Sequence, residues 1–170
     1  MYHGSIDIRL VGSDAAFTLL EQASPVGPFE HQVSRCNLQQ LDVAGADLVV
    51  VSLTNSEDVA EFTRALEGRP CGGDLIVLAP SELVPQLLPL ADRLTDIWSA
   101  PLSEAEAAFR FRRWQERFKE RTDAWETSQF LEATINSIPC LVWYKTKDGV
   151  HEKVNDSFCL TVNKPKDDVQ

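Results

Sequence analysis

Residues 46–53 read Ala46-Asp47-Leu48-Val49-Val50-Val51-Ser52-Leu53. Four consecutive branched aliphatic residues, bounded by Asp47 and Asn55, predict a strand. No polar residue alternates with them, so both faces of that strand must be covered. Leu75-Ile76-Val77-Leu78 repeats the pattern after the Cys71-Gly72-Gly73-Asp74 turn. Between the two runs, Ser56 to Leu66 spaces Val59, Phe62 and Leu66 by three and four residues, which predicts a helix. Outward to the amino terminus, Ile6 to Val11 is a strand ending at Gly12, and Asp14 to Gln22 a helix capped by Ser13 or Asp14. Pro25, Gly27 and Pro28 break the chain before a weaker strand, Phe29 to Ser34, and a short helix, Leu38 to Ala44. Outward to the carboxyl side, Leu83 to Leu94 is helical, with Pro85 tolerable in a first turn and Pro89 expected to kink or split it. Asp96-Ile97-Trp98 is a last short strand before Pro101.

Five strand–helix units in the first hundred residues predict an α/β, flavodoxin-like, doubly wound parallel five-stranded sheet over residues 1–102. In such a sheet, ligands bind beyond the carboxyl ends of the strands. The residues to inspect are therefore Gly12-Ser13-Asp14, Ser52 to Asn55, Ala79-Pro80-Ser81 and Ser99-Ala100-Pro101.

At those positions residues 6–102 resemble the receiver domains of two-component systems. Residues 46–53 are similar to the receiver strand P-D-L-V-L-L-D-L, with Ser52 in the place of the phosphoacceptor aspartate. Leu75 to Pro80 resembles the strand ending I-V-L-T-A, with Ala79 in the place of the switch threonine or serine. Asp96 to Leu102 resembles D-Y-L-V-K-P-F, with Ala100 in the place of the lysine and Pro101 retaining the proline that often follows a cis bond. Where receivers carry a pair of magnesium-binding acids, Gly12-Ser13-Asp14 offers at most Asp14. Phosphoryl transfer to a carboxylate needs that carboxylate, a divalent cation and a cationic side chain on the transferring oxygens. Ser52 has no neighbouring base to activate it, and the first lysine of the chain is Lys119. The resemblance thus implies a pseudo-receiver with a degenerate phosphoacceptor site (Ser13, Asp14, Ser52, Ala79, Ala100, Pro101), no catalytic residue, no metal and no cofactor. An unrelated α/β domain, or a small α/β enzyme using the same crevice, is the competing reading. No phosphate loop, nucleophile–base pair or paired catalytic acids support an enzyme, and residues 12–16 lack the later glycines of a dinucleotide site.

From Ser103 to about Ser137 the chain has neither proline nor glycine, and Ser103 with Glu106 spells a capping box. Phe111, Trp114, Phe118, Arg121, Trp125 and Ser128 recur at spacings of 3, 4, 3, 4 and 3, a heptad seam. This predicts a signalling helix over 103–138. Its first turns would pack on the sheet through Ala105, Ala108 and Phe109, and its seam would form a parallel homodimeric coiled coil. A helix folded back on its own domain is the alternative.

Leu141 to Gly149 and His151 to Cys159 resemble the first two strands of a PAS domain, with an Asp-Gly turn and an N-x-x-F entry to the next helix. Lys164 to Val169 resembles the polar stretch that follows in that family. The resemblance covers about 30 residues, whereas a domain of that kind needs about 100. Residues 139–170 are therefore expected to be the truncated start of a PAS domain, whose ligand is unknown, in a longer protein.

Composition bounds the rest. The formal charge of -10 argues against nucleic acid as a partner. No apolar run approaches the roughly 18 residues of a membrane span, and Met1 to Gly4 does not open a secretory signal. The expected setting is therefore cytoplasmic. Cys36, Cys71, Cys140 and Cys159 lack C-x-x-C or zinc spacing and read as reduced thiols. Residues 1–101 hold fourteen acids and five arginines, whereas 102–138 and 139–170 are nearly balanced, which marks the same three segments. The resemblances together imply a non-catalytic regulatory region of a bacterial signalling protein. It would dimerise and relay to a diguanylate cyclase or histidine kinase output in the same protein; a pure dimerisation adaptor is the remaining alternative. Gly72-Gly73-Asp74 is not the cyclase loop, because Leu75 and Ile76 continue a strand.

Overall fold

The computed structural model describes residues 4–41, 45–68 and 72–168. The chain divides into two compact units, Met1–Glu116 and Arg117–Gln170. The first holds five parallel strands in the order β2-β1-β3-β4-β5: β1 (Ser5–Val11), β2 (Glu30–Cys36), β3 (Leu48–Ser52), β4 (Asp74–Pro80) and β5 (Asp96–Ala100). That order is the flavodoxin-like one, with the switch point between β1 and β3.

Both faces of the sheet are covered, as the uninterrupted aliphatic runs require. Val49, Val51, Leu75, Val77 and Ala79 pack with Val59, Phe62 and Leu66 of helix α2 (Ser56–Leu66), with Leu83, and with Leu87 of helix α3 (Val84–Leu87). Side chains alternate along a strand, so Leu48, Val50, Ile76 and Leu78 face the other way. That second face is served by Ala16, Phe17 and Leu20 of helix α1 (Ala15–Gln22) and by the start of helix α4 (Glu104–Asn136).

Two expected helices come out shorter. Leu38 to Ala44 is a single 3-10 turn, Leu38–Gln40, and residues 42–44 lie outside the described residues. Leu83 to Leu94 is broken into 3-10 turns flanking α3, because Pro89 removes a helical N–H and its ring crowds the preceding turn. Cys71, at the start of the expected glycine turn, and Val169, at the end of the PAS-like stretch, also lie outside the described residues. Gly73 does fall within them: a Cβ there would lie 2.3 Å from the Ala46 carbonyl oxygen, so only glycine lets this turn pass the entry to β3.

The inward face of α4 is Ala107, Phe111, Trp114 and Gln115, spaced four, three and one. This corrects the expected face of Ala105, Ala108 and Phe109, which are exposed. Phe111 stacks on Trp114 with ring centroids 5.7 Å apart and meets the edge of His31 at 5.7 Å. Trp114 Nε1 donates to Asp74 Oδ2 at 2.7 Å, and Thr95 Oγ1 donates to Asp74 Oδ1 at 3.1 Å. A buried carboxylate is costly unless hydrogen-bonded, and these donors meet that need while tying the helix to the first residue of β4.

The second unit pairs β6 (Trp143–Lys145) with β7 (His151–Val154) in an antiparallel hairpin, followed by helix α5 (Asp156–Val162). The Asp148-Gly149 turn closes as expected: Gly149 has φ of 81°, and Thr146 N donates to Val150 O at 2.9 Å. Among the described residues no helix is long and apolar enough to cross a membrane.

Candidate functional site

The carboxyl ends of β1, β3, β4 and β5 form one rim, since Ser52 is in register with Leu78, and Ala79 and Pro80 with Ser99 and Ala100. Gly12 leaves β1 with φ of 93°, and a Cβ there would sit 3.0 Å from the Ser52 carbonyl oxygen. The glycine therefore lets the exits of β1 and β3 approach closely. Ser52 is buried, and its Oγ donates to the Ser13 carbonyl oxygen at 3.5 Å, a long bond. Ser13 and Ser52 are thus brought together, but the hydroxyl faces backbone rather than a base.

The rim carboxylates are committed to their own helices. Asp14 is the N-cap of α1, and its Oδ1 accepts from Ala16 N at 2.8 Å. Asp58 Oδ2 accepts from Thr54 Oγ1 and Thr54 N, both at 2.7 Å, and reciprocates the Asn55 cap of α2. The Thr54 hydroxyl bond, ahead of the backbone bonds, holds the Asp58 carboxyl below its ordinary range. Neither acid presents a pair of free oxygens to an ion. Among the described residues no three His, Cys, Asp or Glu side chains gather as a metal site. Ala79 is fully buried and offers no hydroxyl, and Ala100 precedes Pro101 through a cis peptide. The rim holds a serine and two alanines where a receiver would place its acceptor, its switch hydroxyl and its lysine.

The six-residue seam on α4 is not left whole. Phe111 and Trp114 are 1% and 5% exposed against the first unit, so neither can face a partner helix. Sequence alone could not separate these readings, because covering by a sheet and covering by a second helix both call for spacings of three and four. Farther along, Phe118 is partly covered, with the Arg121 guanidinium 5.9 Å from its ring centroid. Trp125 is 64% exposed, and Ser128 is exposed beside it.

In the second unit the best-connected side chain is Asn155, fully buried. Its Nδ2 lies 3.1, 3.2 and 2.9 Å from the carbonyl oxygens of Ile135, Ile138 and Cys140. Its Oδ1 accepts from Val142 N at 3.0 Å and, as the cap of α5, from Phe158 N at 3.1 Å. One amide thus joins the end of α4, the approach to β6 and the start of α5. The N-x-x-F spacing pointed to the cap but carried no sign of the contacts to residues 135–142.

His31 on β2, which sits in no metal or nucleophile motif and so reads from sequence as a surface or packing histidine, packs against Phe111. Both ring nitrogens are buried without a well-formed hydrogen bond, and the Ala23 backbone nearby falls short of that geometry. Burial pushes its pKa below the ordinary imidazole value, a shift that the Ala23 backbone partly offsets.

A scan against protein-family models finds no match, and a search of the curated proteins finds none either. Among solved structures, the chain is similar to a CpaE2 pilus assembly protein from Sinorhizobium meliloti 1021. Identity is 18% and the TM-score 0.44, over 62% of this chain and 98% of that one. It is also similar to the pilus assembly protein CpaE from Caulobacter crescentus CB15, at 14% identity and a TM-score of 0.42, over 62% of this chain and 90% of that one. The fold assignment rests on the strand order itself.

Proposed function

We propose that the chain is a non-catalytic regulatory region in which a receiver-like module has lost phosphoryl chemistry and serves as a scaffold. The observation that carries this reading is the rim. Ser52 stands at the acceptor position with its hydroxyl on backbone, and Asp14 and Asp58 are spent as helix caps. A receiver stripped of acceptor, metal ligands and lysine keeps its surfaces while losing its switch. Incubation with acetyl phosphate and magnesium should leave the intact mass of the protein unchanged; a stoichiometric, acid-labile phosphoryl adduct would overturn the reading.

The relay is assigned to α4 and the second unit, read as the start of a PAS module. The output, of diguanylate cyclase or histidine kinase type, is proposed from the resemblance of this arrangement to bacterial signalling proteins. The homodimer seam is reduced to Phe118, Arg121, Trp125 and Ser128. Each buried aromatic contributes roughly 1.5–3 kcal/mol, against an association cost of about 4–15 kcal/mol, so the shortened seam supports a weaker dimer than six positions would. Sedimentation equilibrium should show a monomer–dimer equilibrium at micromolar protein, and Trp125→Glu should give a folded monomer. A wild type that stays monomeric throughout that range removes the seam from the account.

A further inference from the structure

A cleft of about 580 Å³ opens on the first unit beside Leu19 of α1, Pro25 and Val26 of the following loop, and Ala108, Phe111 and Gln115 of α4. It lies away from the rim, between α1 and α4. Its size falls within the roughly 300–1,000 Å³ typical of small-molecule sites, and six of its ten lining residues are apolar, with Gln22, Ser24, Arg112 and Gln115 as the polar members. Gln115 is the unusual member. It is 3% exposed, and its Oε1 is buried with no hydrogen-bond partner. An unpaired buried amide oxygen is costly and calls for a partner, which a water or a bound group supplies once the side chain turns. Gln115 sits one helical turn beyond Phe111, whose ring packs between Trp114 and His31.

We propose that this cleft binds a small, mainly apolar molecule carrying one hydrogen-bond donor, which Gln115 accepts once its terminal amide turns toward the cleft. The apolar lining provides the driving force, and the amide selects for the donor. The proposal does not depend on the fate of the rim, because none of the rim residues lines the cleft.

Paired probes test it on the full chain. 2-Naphthol carries a ring system and a hydroxyl donor; 2-methoxynaphthalene keeps the rings and loses the donor. In amide-resolved NMR titrations, 2-naphthol should shift the amides of Leu19–Val26 and Ala108–Gln115 saturably, and 2-methoxynaphthalene should bind about twofold to twelvefold more weakly, the range one net hydrogen bond supplies. Gln115→Leu keeps the bulk and removes the orphan oxygen, so it should fold at least as stably as the wild type and abolish the preference between the probes. Ala108→Trp, at an exposed helix position on the cleft wall, should block both. Equal binding of the two probes by the wild type overturns the role of Gln115. The absence of any saturable shift at the cleft, or shifts that Ala108→Trp leaves in place, shows that water alone fills it and overturns the site.

Discussion

Asn155→Ala is expected to loosen the second unit more than any other single substitution there. It removes the cap of α5, worth about 1 kcal/mol, and leaves the amides of Val142 and Phe158 and three carbonyl oxygens without the partner they share. A buried group left unpaired costs roughly 1–3 kcal/mol, and some of these five will find water, so the net loss should be about 3–4 kcal/mol. Amide exchange at Val142 and Phe158 should then accelerate by at least about a hundredfold, at 1.4 kcal/mol per tenfold. Asn155→Asp separates the two halves of the amide. The carboxylate can still accept from Val142 and Phe158, but it cannot donate, and it sets a charge against the three carbonyls. It should therefore restore little. Unchanged exchange in Asn155→Ala would show that the hub does not hold the unit.

Phe111→Ala should remove a comparable fraction of the stability of the first unit. Truncating a fully buried phenylalanine costs about 3–5 kcal/mol, against a total of roughly 5–15 kcal/mol for a domain of ordinary stability. The midpoint of urea unfolding should fall accordingly. Trp114→Phe isolates the polar part: it keeps most of the stacking on Phe111 but leaves Asp74 Oδ2 without its indole donor, at a cost of about 1–3 kcal/mol. Trp125→Glu, on the exposed stretch of the same helix, should leave the midpoint within about 0.5 kcal/mol of the wild type. If Phe111→Ala were as mild as Trp125→Glu, the start of α4 would not be packed on the sheet, and the whole six-residue seam would again be open to a partner.

The contrast between these positions shows what the residues could and could not reveal in advance. Helix α2 runs from Ser56 to Leu66, as its spacing of Val59, Phe62 and Leu66 predicts, because the Asn55–Asp58 capping box and the apolar stripe are both local. The parallel sheet covered on both faces follows from the uninterrupted aliphatic runs alternating with helices. The segment after β4 was harder to read. Its apolar spacing suits one helix, but Pro89 decides the outcome through an absent N–H. For α4, the aromatics of the seam and the aromatics of the sheet-facing side are the same residues up to Trp114. Only the presence of His31, Asp74 and Thr95 across the interface, far away in sequence, assigns them.

At the rim, the residue types carry the proposal, since the resemblance sets a serine and two alanines where a receiver has an aspartate, a threonine or serine and a lysine. What sequence could not supply was the commitment of Asp14 and Asp58. An acid near the end of a strand reads equally as metal ligand or helix cap until its oxygens are seen to accept from Ala16 N or from Thr54 and its hydroxyl. Asn155 is a parallel case: its cap was legible from local spacing, and its long-range contacts were not.

On the proposed reading the rim lacks the metal site and the cation as well as the acceptor, so that returning the carboxylate alone cannot revive it. The most direct test is to incubate Ser52→Asp beside the wild type with acetyl phosphate and magnesium and to read intact masses before and after acid treatment. The account predicts no phosphoryl adduct on either protein. An acid-labile adduct on Ser52→Asp would show that the rim still assembles a working phosphoryl-transfer site, and would contradict it.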